Sequence, residues 1–223
     1  MKTIRISLTV LGLLAAMSLQ ASAQGQGRGG FGMMGMMGGG ANLLTNKSIL
    51  KEIKADEKQI EALAASASDL MAKQREAFQG LQDLSPEERR EKMTEMGKAM
   101  ADDLAKALKE NLKEEQVKRF HECRLQSMGP RAFMDAEAAK VLAITEEQRG
   151  KIQEIMMEQG AQMREIFQSL QDDREAGMKK MAELNKETHA KIVALMSDDQ
   201  KKSWAKLIGA PFEFVQEMRR PGN

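Results

Sequence analysis

Leu142-Ala143-Ile144-Thr145-Glu146-Glu147-Gln148 is the stretch on which the reading of the whole chain turns. Thr145 followed by Gln148 forms a capping box. The threonine hydroxyl accepts the backbone N–H at the third helical position, and the glutamine side chain reaches back to the N–H of the cap. Glu146 and Glu147 then sit in the first turn, at the positive end of the helix dipole. Beyond them Ile152, Ile155, Met156, Met163, Ile166, Phe167 and Leu170 recur at helical spacing, which predicts an amphipathic helix.

The same arrangement recurs along the chain. Ile53-Lys54-Ala55-Asp56-Glu57-Lys58-Gln59 has Asp56 as its cap, and Met196-Ser197-Asp198-Asp199-Gln200 has Ser197. Leu112-Lys113-Glu114-Glu115-Gln116 keeps the glutamine, but Lys113 carries no acceptor oxygen and cannot cap. A further box of a different type starts at Ser85, with Pro86 at the first helical position and Glu88 reaching back.

Spacing turns these boxes into a repeat. Residues 75–83 match residues 164–172 at seven of nine positions with an offset of 89, which Gln59 and Gln148 share. Further on the offset is 84, relating Leu108 to Ile192, Leu112 to Met196, Gln116 to Gln200 and Phe120 to Trp204. Identity, cap and spacing together predict two tandem copies, the first with five extra residues near Leu84. Each copy reads as two long helices and a shorter third: 57–82, 86–111 and 114–127, then 146–171, 174–195 and 198–208. Asp135 caps a short linking helix through Val141. No segment alternates apolar and polar residues over a useful length. The expected fold is all-α, two tandem helical hairpins of long antiparallel amphipathic helices.

At the N-terminus, Lys2 and Arg5 precede an apolar run from Ile6 to Met17, and Ala21-Ser22-Ala23 supplies a small-x-small cleavage pattern. This reads as a secretory leader, too short in its apolar core to span a bilayer. The expected divisions are a leader at 1–23, a disordered Gly/Met-rich arm at 24–46, and helical repeats at 47–134 and 135–223. Thioethers suit soft ions such as Cu(I), so Met33, Met34, Met36 and Met37 in the arm carry a metal-binding alternative beside that of a flexible linker. The chain's net charge is +1, and losing Lys2 and Arg5 with the leader makes it −1. That balance gives no reason to expect nucleic acid or an anionic membrane as partner. Aromatic residues are only 4 % and tyrosine is absent, whereas methionine numbers 19, so a thin, methionine-filled core is expected. The single cysteine, Cys123, excludes an internal disulfide.

An Ile/Leu-Thr-x-x-Gln box opening a long helix, with a second box near the end of the next long helix, resembles the Spy/CpxP family of periplasmic chaperones. Ile144-Thr145-Glu146-Glu147-Gln148 matches the first box, and Leu195-Met196-Ser197-Asp198-Asp199-Gln200-Lys201-Lys202 is similar to the second. The resemblance covers residues 142–208 well and 53–127 more loosely, since Ala55-Asp56 and Lys113 depart from the motif. It implies a periplasmic, stress-related, all-helical cradle that holds unfolded proteins without ATP and works as a homodimer. One branch of the family represses a sensor kinase and another binds zinc. Here both halves lie in one polypeptide, which offers a way to build the family's cradle without a second chain.

Independently of the family, Met157 lies about 140° from the centre of its helix's apolar stripe and is expected to be exposed. Met178 and Met181 in the second copy, and Met93, Met96 and Met100 in the first, widen the apolar face of the following helix. Methionine repacks readily against varied partners. Arg164, Lys179, Lys180 and Lys186 flank this face and can steer acidic segments. The competing reading places Met156, Met163 and Met181 in the core. Phe78 and Phe167, in the matching nonapeptides, are both expected to be buried.

Catalysis has little support. His121 and Cys123, two apart on a helix, face different sides, so a surface histidine and a packed thiol are expected. His189 has no second ligand nearby, and no phosphate loop is present. The expectation is a non-enzymatic, cofactor-free, exported holdase for unfolded or partly folded proteins. The alternatives are a regulator docking on the periplasmic domain of a sensor kinase, and a copper- or zinc-binding accessory protein.

Overall fold

The computed structural model describes residues 39–169 and 173–215. The leader, the Gly/Met stretch through residue 38, its metal-binding alternative, Leu170 and the expected helix end at 171 lie outside the described residues. Among the described residues the fold is all-α, with no strand. Short helices α1 (Gly39–Leu43) and α2 (Lys47–Glu52) lead into a first hairpin of α3 (Glu57–Gln79) and α4 (Pro86–Asn111). Helix α5 (Glu114–Met128) follows, then a 3₁₀ turn (Gly129–Met134) and α6 (Ala136–Val141). The second hairpin pairs α7 (Glu146–Ser169) with α8 (Arg174–Ala194), and α9 (Asp198–Ile208) closes the helical part. Lys73 to Asp103 at 2.7 Å and Gln159 to Asn185 at 2.7 Å fix the antiparallel register of the two hairpins.

The caps explain why the helices begin where they do. Asp56, Ser85 and Ser197 accept from the N–H three residues on, and Gln59, Glu88 and Gln200 return the bond. Thr145 and Gln148 do the same, each bond 3.1 Å long. At α5 only half the box exists: the Lys113 N–H donates to Gln116 Oε1, and the lysine offers no acceptor. The helix predicted over 57–82 stops at Gln79, where Gly80 caps it and the chain turns.

Structure begins earlier than the low-complexity reading allowed. Ala41, Leu43, Leu44 and Asn46, assigned by sequence to the arm, are buried. Leu43 and Leu44 bring enough apolar surface to order the segment, and Asn46 caps α2 through a 3.1 Å bond from the Ile49 N–H. Asp135 caps α6 in the same way, 89 residues on. Helices α2 and α6 both end on a left-handed non-glycine residue, Lys54 (φ 53°) and Ala143 (φ 49°). The N–H groups of Ala55 and Ile144 then reach back to Leu50 and Ala139 carbonyls, closing the helix ends.

Two apolar cores result. One runs from Ala41 to Cys123, with Leu44, Ile49, Leu63, Leu108 and Phe120 fully enclosed. The other runs from Leu125 to Trp204, with Phe133 stacked 4.3 Å from Trp204. The division falls inside α5, ahead of the sequence boundary at 134. After α9 the chain doubles back. Gly209 (φ +64°, ψ −153°) holds a conformation essentially restricted to glycine, and a Cβ there would collide with the Glu122 carboxylate. The tail then lays Phe212 and Phe214 against the first core.

Candidate functional site

At the base of each hairpin two glutamine side chains grip one another. Gln59 Nε2 donates to Gln116 Oε1 at 2.8 Å, and Gln116 Nε2 returns the bond to Gln59 Oε1 at 3.0 Å. Gln148 and Gln200 do the same at 2.8 and 2.9 Å. Each amide also binds the end of a neighbouring helix. Gln59 donates to the Asn111 carbonyl and Gln148 to the Leu195 carbonyl; Gln116 donates to Ile53 and Gln200 to Leu142. An amide suits this task because it carries both an acceptor oxygen and two donor hydrogens. The clasp thereby satisfies orphan groups at helix starts and helix ends together. The sequence singled these glutamines out as helix caps; their cross-helix pairing was not foreseen. A shared offset of 84 for Gln116 and Gln200 was the available signal.

Above the clasps the hairpins differ. The first is closed at its tip, where Arg89 donates to the Leu81 and Leu84 carbonyls and Leu81 and Met96 are both 6 % exposed. Met96, expected on a contact surface, is therefore a core residue: its place on α4 turns it inward. Met93 and Met100 are half-buried. The second hairpin leaves three of its large apolar residues open. Met157 is 68 %, Phe167 55 % and Met178 54 % exposed, while Met181 is half-buried. Arg164, Lys179 and Lys180 are exposed on the same two helices.

Phe167 is exposed and Phe78 only half-buried, so the expectation that both rings occupy equivalent buried positions is corrected. The register set by Gln159 and Asn185 brings Phe167 opposite the start of α8, where Ala176 and Gly177 are too small to cover a ring. Met156, Met163 and Ile166 are half-buried along the seam.

Three titratable groups are the ones the sequence weighed for catalysis or metal binding. Cys123 is enclosed in the first core, and burial pushes its thiol up to about 11, so it is not a ready thiolate. His121 is partly buried rather than on the surface, and burial followed by Arg124 lowers its pKa. His189 packs 5.4 Å from Phe133 and 6.3 Å from Trp204, and burial lowers its pKa too. Among the described residues no group of three or more His, Cys, Asp or Glu side chains is placed to hold a metal ion, and no helix is long and apolar enough to cross a membrane. Comparison with protein-family models, with curated proteins and with solved structures finds no match.

Proposed function

We propose that this chain is an exported, ATP-independent holdase, and that the second hairpin carries its contact surface for unfolded proteins. The observation that supports this reading most is the concentration of exposed apolar side chains there. Met157, Phe167 and Met178 are each more than half exposed on one two-helix arm, whereas Ile60, at 38 %, is the only large apolar side chain classed as exposed on α3 and α4. Scattered single apolar residues need no explanation; three flexible or aromatic ones on one arm, beside cations, suit a surface that repacks against varied chains. The leader-like N-terminus and the resemblance to Spy/CpxP chaperones point the same way. Recurrence of the clasp at offsets of 89 and 84 supports an origin by tandem duplication, with one arm kept closed and the other open.

The test is suppression of aggregation of several unrelated unfolded proteins by the leader-free chain, without nucleotide. Protection at near-stoichiometric ratios is expected, reduced by Met157→Glu and by Phe167→Ser with no change in melting temperature. Raising the salt from about 0.05 to about 0.5 M should slow the encounter by screening Arg164, Lys179 and Lys180. Failure to protect any client, together with tight one-to-one binding of a single sensor domain, would replace the holdase by the regulatory reading.

A further inference from the structure

The segment after Gly209 has the geometry of a bound peptide. Its burial alternates: Phe212 and Phe214 are partly buried, while Glu213 and Val215 are exposed. That is the period of an extended chain with one face down. The two rings pack edge-on, 6.2 Å apart, against the core formed by α1 to α5. Among the described residues no strand lies alongside to take up the main chain, so side chains do it. Gln126 Oε1 accepts from the Phe212 N–H at 3.0 Å, and Gln126 Nε2 donates to the Ala210 carbonyl at 2.8 Å. Arg119 donates to the same carbonyl at 2.9 Å. Asn46 Nδ2 donates to the Val215 carbonyl at 2.9 Å, and Ser48 Oγ accepts from the Val215 N–H at 3.2 Å.

Every one of those bonds reads main chain, and none reads a tail side chain. Among the described residues, sequence preference comes from the two ring sites. We infer that the first helical unit carries a groove for extended aromatic-x-aromatic segments of other polypeptides, and that residues 210–215 fill it in cis as a displaceable strap. The occupant's chemistry is fixed by the strap itself: two aromatic rings at alternate positions, with free backbone groups around them. Such segments are what an unfolded chain exposes and a folded one hides. The groove lies on the first unit, apart from the open arm of the second hairpin, so it stands or falls separately from that surface.

Asn46 offers a selective probe. Its Oδ1 caps α2 by accepting from the Ile49 N–H, while its Nδ2 holds the Val215 carbonyl. Asn46→Asp keeps the capping oxygen and sets a carboxylate against the carbonyl in place of the donor. The experiment uses a fluorescent peptide of the sequence Ala-Pro-Phe-Glu-Phe-Val and follows its anisotropy with three full-length proteins. The unaltered chain should bind weakly, because a tethered strap competes at high effective concentration. Phe212→Ser with Phe214→Ser should bind about tenfold or more tightly. Adding Asn46→Asp to that pair should weaken binding again without loss of helical circular dichroism. Equal affinity for all three proteins, or equal binding of a peptide with alanine at both ring positions, overturns the inference. So does unfolding of the Phe212→Ser, Phe214→Ser chain, since a segment the first unit needs in order to fold is not a displaceable strap.

Discussion

Replacing Gln148 by alanine tests the clasp directly. The side chain makes four hydrogen bonds: from the Thr145 N–H at 3.1 Å, to the Leu195 carbonyl at 2.8 Å, and two with Gln200 at 2.8 and 2.9 Å. A typical intramolecular hydrogen bond contributes about 0.5–1.5 kcal/mol net, and more is lost when its partner is left dry. Gln148 is half-buried, so water re-solvates part of what is abandoned. The lower end applies, and Gln148→Ala should cost about 2–3 kcal/mol. Gln200→Ala should cost a similar amount, because it too holds a cap N–H and a helix-end carbonyl. The pair shares two bonds, so the double variant should be less destabilised than the sum by about 1–2 kcal/mol. Urea denaturation followed by fluorescence suits the measurement, because Trp204 is the chain's one tryptophan and is buried in the second core. A loss below about 0.5 kcal/mol for either single variant would refute the reasoning, as would additivity within about 0.3 kcal/mol.

Thr145→Ala should cost roughly 1 kcal/mol by chemical denaturation, while Lys113→Thr completes a half-built box and should add about 0.5 kcal/mol. Ala143→Gly should raise the melting temperature, because a left-handed alanine costs about 1–2 kcal/mol that glycine avoids, offset in part by glycine's greater unfolded entropy. Phe133→Ala should cost about 3–5 kcal/mol, whereas Phe167→Ala at its exposed site should stay within about 0.5 kcal/mol. Burial lowers the pKa of His189, so the native state favours the neutral ring. Its contribution is complete above the unfolded value near 6.5 and is lost as the pH falls below it. Thermal melts between about pH 7.5 and pH 5.5 should show that decline, shallower in His189→Asn; an unchanged slope would remove His189 from the account.

The helices were legible because their starts are local chemistry. Asp56, Ser85, Thr145 and Ser197 each meet a glutamine or glutamate three residues later, and that signal is independent of the rest of the fold. Even the weak start at Lys113 was readable as weak. What escaped was tertiary. The ordering of Ala41 to Asn46 depends on a core contributed by α3 to α5, so composition alone assigned it to the Gly-rich arm. The closing tail depends on contacts 91 residues apart, such as Arg119 with Ala210, and carries no periodicity of its own. Phe78 and Phe167 show the limit of reasoning by repeat. The same residues lie on both copies, yet Phe78 is half-buried and Phe167 exposed, because what a ring meets across the hairpin is set by the facing helix and not by its own nonapeptide.

That asymmetry has a mechanical consequence. In the second hairpin the glutamine pair, the Thr145 and Ser197 caps and the Phe133–Trp204 stack all lie at the base. Moving outward, the seam holds Gln159 with Asn185, the buried Leu184 and then the half-buried Met163, Ile166 and Met181. Few buried apolar contacts and many solvent-reachable backbone bonds mean a low local opening free energy. The hairpin is therefore firmest where it joins the rest of the molecule and loosest where Phe167 and Met178 are exposed. In the first hairpin Arg89, Leu81 and Met96 stiffen the equivalent region. A surface proposed to receive unfolded chains of varied shape needs a fixed root and an adaptable end, and only the second arm is built with both. Amide hydrogen exchange resolves the point. Protection should fall steadily from Ile152 to Phe167 along α7, yet stay level from Leu63 to Phe78 along α3. Equal profiles in the two helices would leave the open arm without the compliance on which its proposed role depends.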